Sequence, residues 1–138
     1  MKISRLIRAG MLAAAVMCLS ACKDDSTKPP AATAPEAVYT VRGKIVSLPD
    51  PAKPGSSLQI MHEPIDNFVR QDGKLGMDSM TMPFPLAKGV SLEGFAAGDI
   101  VEVTFEVRWK GQPRFQTTKL VKLPPDTPVR VGKAAGGT

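Results

Sequence analysis

Histidine and cysteine are almost missing from this 138-residue chain, which has one of the former and two of the latter. A single imidazole, His62, leaves no second histidine to share a metal or to act beside a nucleophile, and no carboxylate pair marks a defined site. The composition therefore argues against an enzyme. The acidic residues read as solvent-face charges. Both cysteines, Cys18 and Cys22, fall near the N-terminus, so no disulfide framework and no thiolate metal site is expected in the body of the chain. Aromatic residues are scarce, with one Trp, one Tyr and five Phe. The longest apolar stretch, Met11 to Leu19, is too short to cross a bilayer.

The N-terminus reads as a bacterial secretion signal, with Lys2, Arg5 and Arg8 ahead of the short apolar stretch. It ends Leu19-Ser20-Ala21-Cys22, which resembles the lipobox of bacterial lipoproteins. The resemblance implies that residues 1–21 are removed and Cys22 is lipidated, giving an anchor in the periplasm; a plain signal peptide with incidental cysteines is the other reading. Lys23 stands where an Asp retention signal would be, which favours the outer membrane.

Removing the three basic signal residues lowers the formal charge from +5 to about +2, with 15 basic against 13 acidic side chains. These charges are interspersed and form no basic stripe, so no nucleic-acid partner is expected. Residues 22–37 are rich in Lys, Asp, Pro, Ala and Thr and read as a disordered tether. Residues 124–138, with three prolines and a Gly/Ala end, read as a flexible tail. What is left to fold, residues 38–123, is one small domain.

Within that window the hydrophobic period is 2. Strands are expected over Val38 to Leu48, Ser57 to His62, Thr81 to Leu86, Ile100 to Trp109 and Phe115 to Leu123. A polar connection is expected from Asp66 to Gly76, and a loop or single helical turn from Ser91 to Gly98. Gly43 permits a bend or bulge in the first strand. Pro83 and Pro85 confine the third strand to an edge or bulge. Trp109 reads as core or barrel-end packing. Five short strands with no long helix point to a small, closed or nearly closed all-β barrel.

What the folding window does contain is methionine: Met61, Met77, Met80 and Met82, three of them within six residues. Thioether sulfur is polarizable and uncharged and suits Cu(I) or Ag(I) better than Mg, Ca or Zn. Met80 and Met82 are two apart in an extended segment and share one face. Met61 and His62 take opposite faces, with Met61 expected in the core and His62 on the metal side. The bland alternative is that the methionines fill the core and the histidine is solvated. An imidazole with two thioethers carries no formal charge, which fits a monovalent soft ion.

Met61-His62-Glu63-Pro64-Ile65 and Met77-Asp78-Ser79-Met80-Thr81-Met82-Pro83-Phe84, with the strand start Gly98-Asp99-Ile100-Val101-Glu102-Val103, resemble the CusF-like family of periplasmic Cu(I)/Ag(I)-binding proteins. The resemblance covers most of residues 38–123. It implies a five-stranded OB-like β-barrel binding one Cu(I) or Ag(I) ion through His62, Met80 and Met82. It also implies a metallochaperone or buffer that hands the ion to a periplasmic adaptor or pump of an efflux system, and a monomer is expected. Two departures stand out. Met77 occupies the place of a tryptophan that caps the ion in family members, as a fourth ligand or an apolar lid. The connection between His62 and Met80, residues 67–76 in the main, is longer than the family pattern, and it gates the site, docks a partner or is a tolerated insertion. Cu(I) delivery to a copper enzyme, and an OB-like lipoprotein that binds no metal, are the competing functions.

Overall fold

Val101 to Val107 alternates strictly, and its structure shows why: Val101, Val103, Phe105 and Val107 are fully buried while Glu102, Thr104 and Glu106 reach the surface. The computed structural model describes residues 34–136. The elements are β1 (Ala37–Ser47), β2 (Gln59–His62), β3 (Ile65–Val69), β4 (Leu75–Met77), β5 (Thr81–Pro83), β6 (Ile100–Val107) and β7 (Phe115–Lys122). There is no helix among the described residues; Ser91 to Gly98 is loop and turn. The signal segment, Cys22 and most of the tether lie outside the described residues.

Five strands form one sheet in the order β5-β2-β1-β6-β7, and β3 and β4 form a separate two-stranded sheet. All strand pairings are antiparallel. Seven strands in two sheets replace the expected five. The additional pair arises inside the connection expected to be irregular. Ile65 and Phe68 are buried there, and Gly73 turns the chain with φ 81°. The Tyr39 hydroxyl accepts a 2.9 Å hydrogen bond from the Val69 N–H and ties this hairpin to β1. Phe68 in turn meets Trp109 edge-on at 6.0 Å, and Trp109 meets Phe115 at 5.8 Å, so the tryptophan packs at the margin of the core.

The expectation is a closed or nearly closed barrel, and among the described residues the barrel is not closed. The outer edges of the large sheet touch only at one isolated parallel bridge, Leu86 to Thr117. There the Thr117 N–H donates to the Pro85 carbonyl at 2.7 Å and the Ala87 N–H donates to the Thr117 carbonyl at 2.8 Å. Pro83 and Pro85 have no N–H to offer, so no continuous ladder extends along that seam. The same prolines leave β5 at the sheet edge, as its sequence predicts.

Residues 124–136 carry no strand, as a tail should, yet they are held. Gly132, Ala134 and Ala135 bond to Ser79, Asp78 and Asp66, and Ala134 is buried.

Candidate metal centre

The register of β2 against β5 assembles the candidate donors. Ile60 pairs with Met82 and Met61 with Thr81; one step further the His62 N–H donates to the Met80 carbonyl at 3.1 Å. Side chains alternate along a strand, so Ile60, His62, Met80 and Met82 share a face while Met61 and Thr81 take the other. That face is the inner one. Along β2 it carries Leu58, Ile60 and His62, all buried; along β5 and its extension it carries Phe84 at 0%, Met82 at 9% and Met80 at 49% exposure. The site thus lies where the core meets the surface, with one thioether inside and one at the rim.

Met61 does not enter the core, contrary to the sequence expectation. Ile60 lies opposite Ile45 of β1 and fills it, which turns Met61 outward and His62 inward. Gly43, opposite His62, permits the close approach. A Cβ there would stand 2.6 Å from Ile60 Cγ2 and 2.7 Å from the Met61 carbonyl oxygen. The register at Gly43 is regular, and the irregularity in β1 falls between Ile45 and Ser47 instead.

His62 is fixed in its electronic state as well as its place. Its Nδ1 lies 2.7 Å from the Glu63 carbonyl oxygen, a contact that requires the proton on Nδ1 and leaves a lone pair on Nε2. Nε2 is buried without a hydrogen-bond partner among the described residues. Burial pushes the imidazole below its ordinary pKa of 6.5, outweighing the upward pull of the Glu63 carbonyl. Phe84 meets the ring edge-on at 6.1 Å. A neutral imidazole held through one nitrogen and free at the other is the form in which histidine binds metals. An unpartnered buried acceptor otherwise costs about 1–3 kcal/mol.

Glu63 is the residue that sequence reasoning misses. Its sequence context reads as a solvent-face charge, but it is buried, accepting the Arg42 Nε–H at 3.1 Å and the Arg130 backbone N–H at 2.8 Å. The available signal is its place beside His62 in a run, Ile60 to Ile65, whose other members are apolar. Met77 lies on β4 opposite Ile65, half-buried and packed against the core. No group of three His, Cys, Asp or Glu that could hold a metal occurs among the described residues. The donors gathered here are one neutral imidazole and thioethers, a soft, uncharged set that fits Cu(I) or Ag(I).

The family model of the copper binding periplasmic protein CusF matches residues 38–120, more than half of the chain. The chain belongs to the CusF family. No curated protein and no solved structure matches it. Membership makes it a periplasmic copper-binding protein of a metal-binding, non-enzyme family. The CusF match runs from β1 into β7 and takes in His62, Met77, Met80 and Met82, but stops before the C-terminal segment that returns to the site.

Proposed function

We propose that this CusF-family protein captures one Cu(I) or Ag(I) ion through His62 Nε2, Met80 and Met82, and passes it to the periplasmic adaptor or pump of an efflux system. The observation that carries this reading is the buried, unpartnered Nε2 on the same sheet face as the two thioethers. Met77 serves as an apolar lid, because it packs against the core from the neighbouring sheet. The half-exposed Met80 is the donor that an incoming partner reaches first, so transfer starts by exchange at Met80 while His62 and Met82 still hold the ion. The curled five-stranded sheet, bridged at Leu86 and Thr117, serves as the OB-like frame. Lipidation at Cys22 would keep the monomeric carrier at the outer membrane.

Anaerobic Cu(I) titration against a competing chelator tests the site. One tightly held equivalent per chain is expected, weakened strongly by Met80→Ala and by Met82→Ala. Absence of binding, or variants that bind like the parent, would refute it. Efflux is separated from delivery in cells: removing the protein should raise periplasmic copper while copper-enzyme maturation continues.

A further inference from the structure

The segment after the CusF match is bonded to the residues that flank the candidate ligands. The Arg130 N–H donates to Glu63 Oε1 at 2.8 Å, beside His62. The Gly132 N–H donates to Ser79 Oγ at 2.8 Å, and the Gly132 carbonyl accepts the Ser79 N–H at 2.9 Å and the Ser79 hydroxyl at 3.1 Å, beside Met80. The Ala134 N–H donates to Asp78 Oδ1 at 2.9 Å, beside Met77, and the Ala135 N–H to Asp66 Oδ1 at 2.7 Å.

Two separate parts of the fold are joined by these contacts. Glu63 lies in the corner that follows the histidine at the end of β2, and Asp66 on β3; Asp78 and Ser79 lie in the connection from β4 to β5, between Met77 and Met80. Close approach demands a small residue at two places in the segment: Ala134 is 6% exposed, and a Cβ on Gly136 would lie 2.7 Å from the Asp66 carbonyl oxygen. Gly132 has open space around its Cβ position and is favoured by its backbone, with φ 150°.

We propose that residues 130–136 form a positioning strap that holds the Met80 strand against the His62 strand and thereby slows release of the bound ion. The proposal rests on the metal site described above. Glu63 acts through its carbonyl on the His62 ring, and Asp78 and Ser79 act through the backbone that places Met80. The strap touches no ion itself. Groups that orient metal ligands from behind typically change affinity by about 10–100-fold when removed.

The test compares the parent with Asp66→Ala/Asp78→Ala and with a chain ended after Thr127, measuring the rate at which Cu(I) passes to a chelator in excess. Thermal melting of the metal-free proteins is measured alongside. Both variants should release Cu(I) faster by about tenfold or more. Asp78→Asn, which keeps an oxygen acceptor for the Ala134 N–H, should release at close to the parent rate. In the parent, the amide hydrogens of Gly132, Ala134 and Ala135 should exchange slowly. If the parent holds Cu(I) and neither variant releases it faster, the strap is overturned alone, even if melting temperatures fall. Fast exchange of those amides in the parent overturns it too. If the parent holds no Cu(I), the metal-site reading fails and the strap's role fails with it.

Discussion

The Nδ1 nitrogen of His62 is hydrogen-bonded to the carbonyl oxygen of the next residue, Glu63, at 2.7 Å. This contact decides which nitrogen is left to accept or to bind an ion, because the proton must sit on Nδ1 and the lone pair on Nε2. The carbonyl is itself steadied: the Glu63 carboxylate is tied to Arg42 and to the Arg130 amide. Orientation of the candidate ligand therefore depends on β1, on the β2–β3 corner and on the C-terminal segment together.

A pH dependence follows from the burial of that ring. The folded pKa of His62 lies below the unfolded value of 6.5, with desolvation the dominant cause. The contribution to stability is thus fully present above pH 6.5 and is lost as pH falls through the lower folded value. The metal-free protein should melt at an unchanged temperature above pH 6.5 as far as His62 is concerned, and lose stability below it. His62→Gln should lack that acid-side component. A decline already under way above pH 6.5 and absent from His62→Gln would contradict the assignment. Copper should stay bound to a lower pH than an exposed histidine would allow, because protons compete only below the depressed pKa.

Met80 and Met82 are expected to be alike toward copper and unlike toward folding. Met82 is 9% exposed and belongs to the hydrophobic core, whereas Met80 is 49% exposed. Met82→Ala should cost about 2–5 kcal/mol of metal-free stability, as buried Met truncations do. Met80→Ala should stay within roughly 0.5 kcal/mol, as surface changes do. Urea unfolding without metal checks both. Equal losses would show that the burial gradient from Met80 into β5 is wrong.

The legible parts of this fold are those with local causes. The alternation of β6, the Met-x-Met spacing that puts Met80 and Met82 on one face, and the edge position imposed by Pro83 all depend on neighbours in sequence. The parts that were not legible depend on distant ones. Whether Met61 or His62 turns inward is a one-residue question of register, settled by Gly43 and Ile45 across the ladder. Glu63 is buried because of Arg42, 21 residues before it, and Arg130, 67 residues after it. The Gly/Ala end looks like a tail because hydropathy registers side chains, while its contacts are made by backbone amides. The β3–β4 hairpin was hidden because Ile65 and Phe68 are the two inward anchors of an otherwise polar stretch.

Met77 is expected to shield the site without binding the ion, since it sits in the β3–β4 ladder opposite Ile65 and packs against the core. Met77→Ala should leave the number of sulfur ligands per copper unchanged by X-ray absorption. Loss of one sulfur in that variant would make Met77 a ligand. Met77→Trp should fold and give fluorescence that responds to the metal. Trp109 is best replaced by Phe in that experiment, because its own ring already reports on Phe68 and Phe115.

Gly43 offers a test of how far the site depends on strand spacing. Its Cβ position is closed by Ile60 Cγ2 at 2.6 Å, the Met61 carbonyl oxygen at 2.7 Å and His62 Cα at 3.1 Å. The first obstacle is a side-chain atom that can shift, but the other two are backbone and move only if β2 moves away from β1. Gly43→Ala should therefore destabilise the metal-free protein by about 1–3 kcal/mol, as overpacking does. It should also weaken copper binding, because displacing β2 from β1 shifts His62 from the place in which its ring is held. Gly94 is the contrasting position, with nothing within 4 Å of its Cβ and φ of 81°. Gly94→Ala should cost stability through backbone strain alone and leave copper affinity as it was. If Gly43→Ala instead binds copper like the parent, the ligand geometry tolerates a displaced β2 and does not depend on the close contact between these two strands.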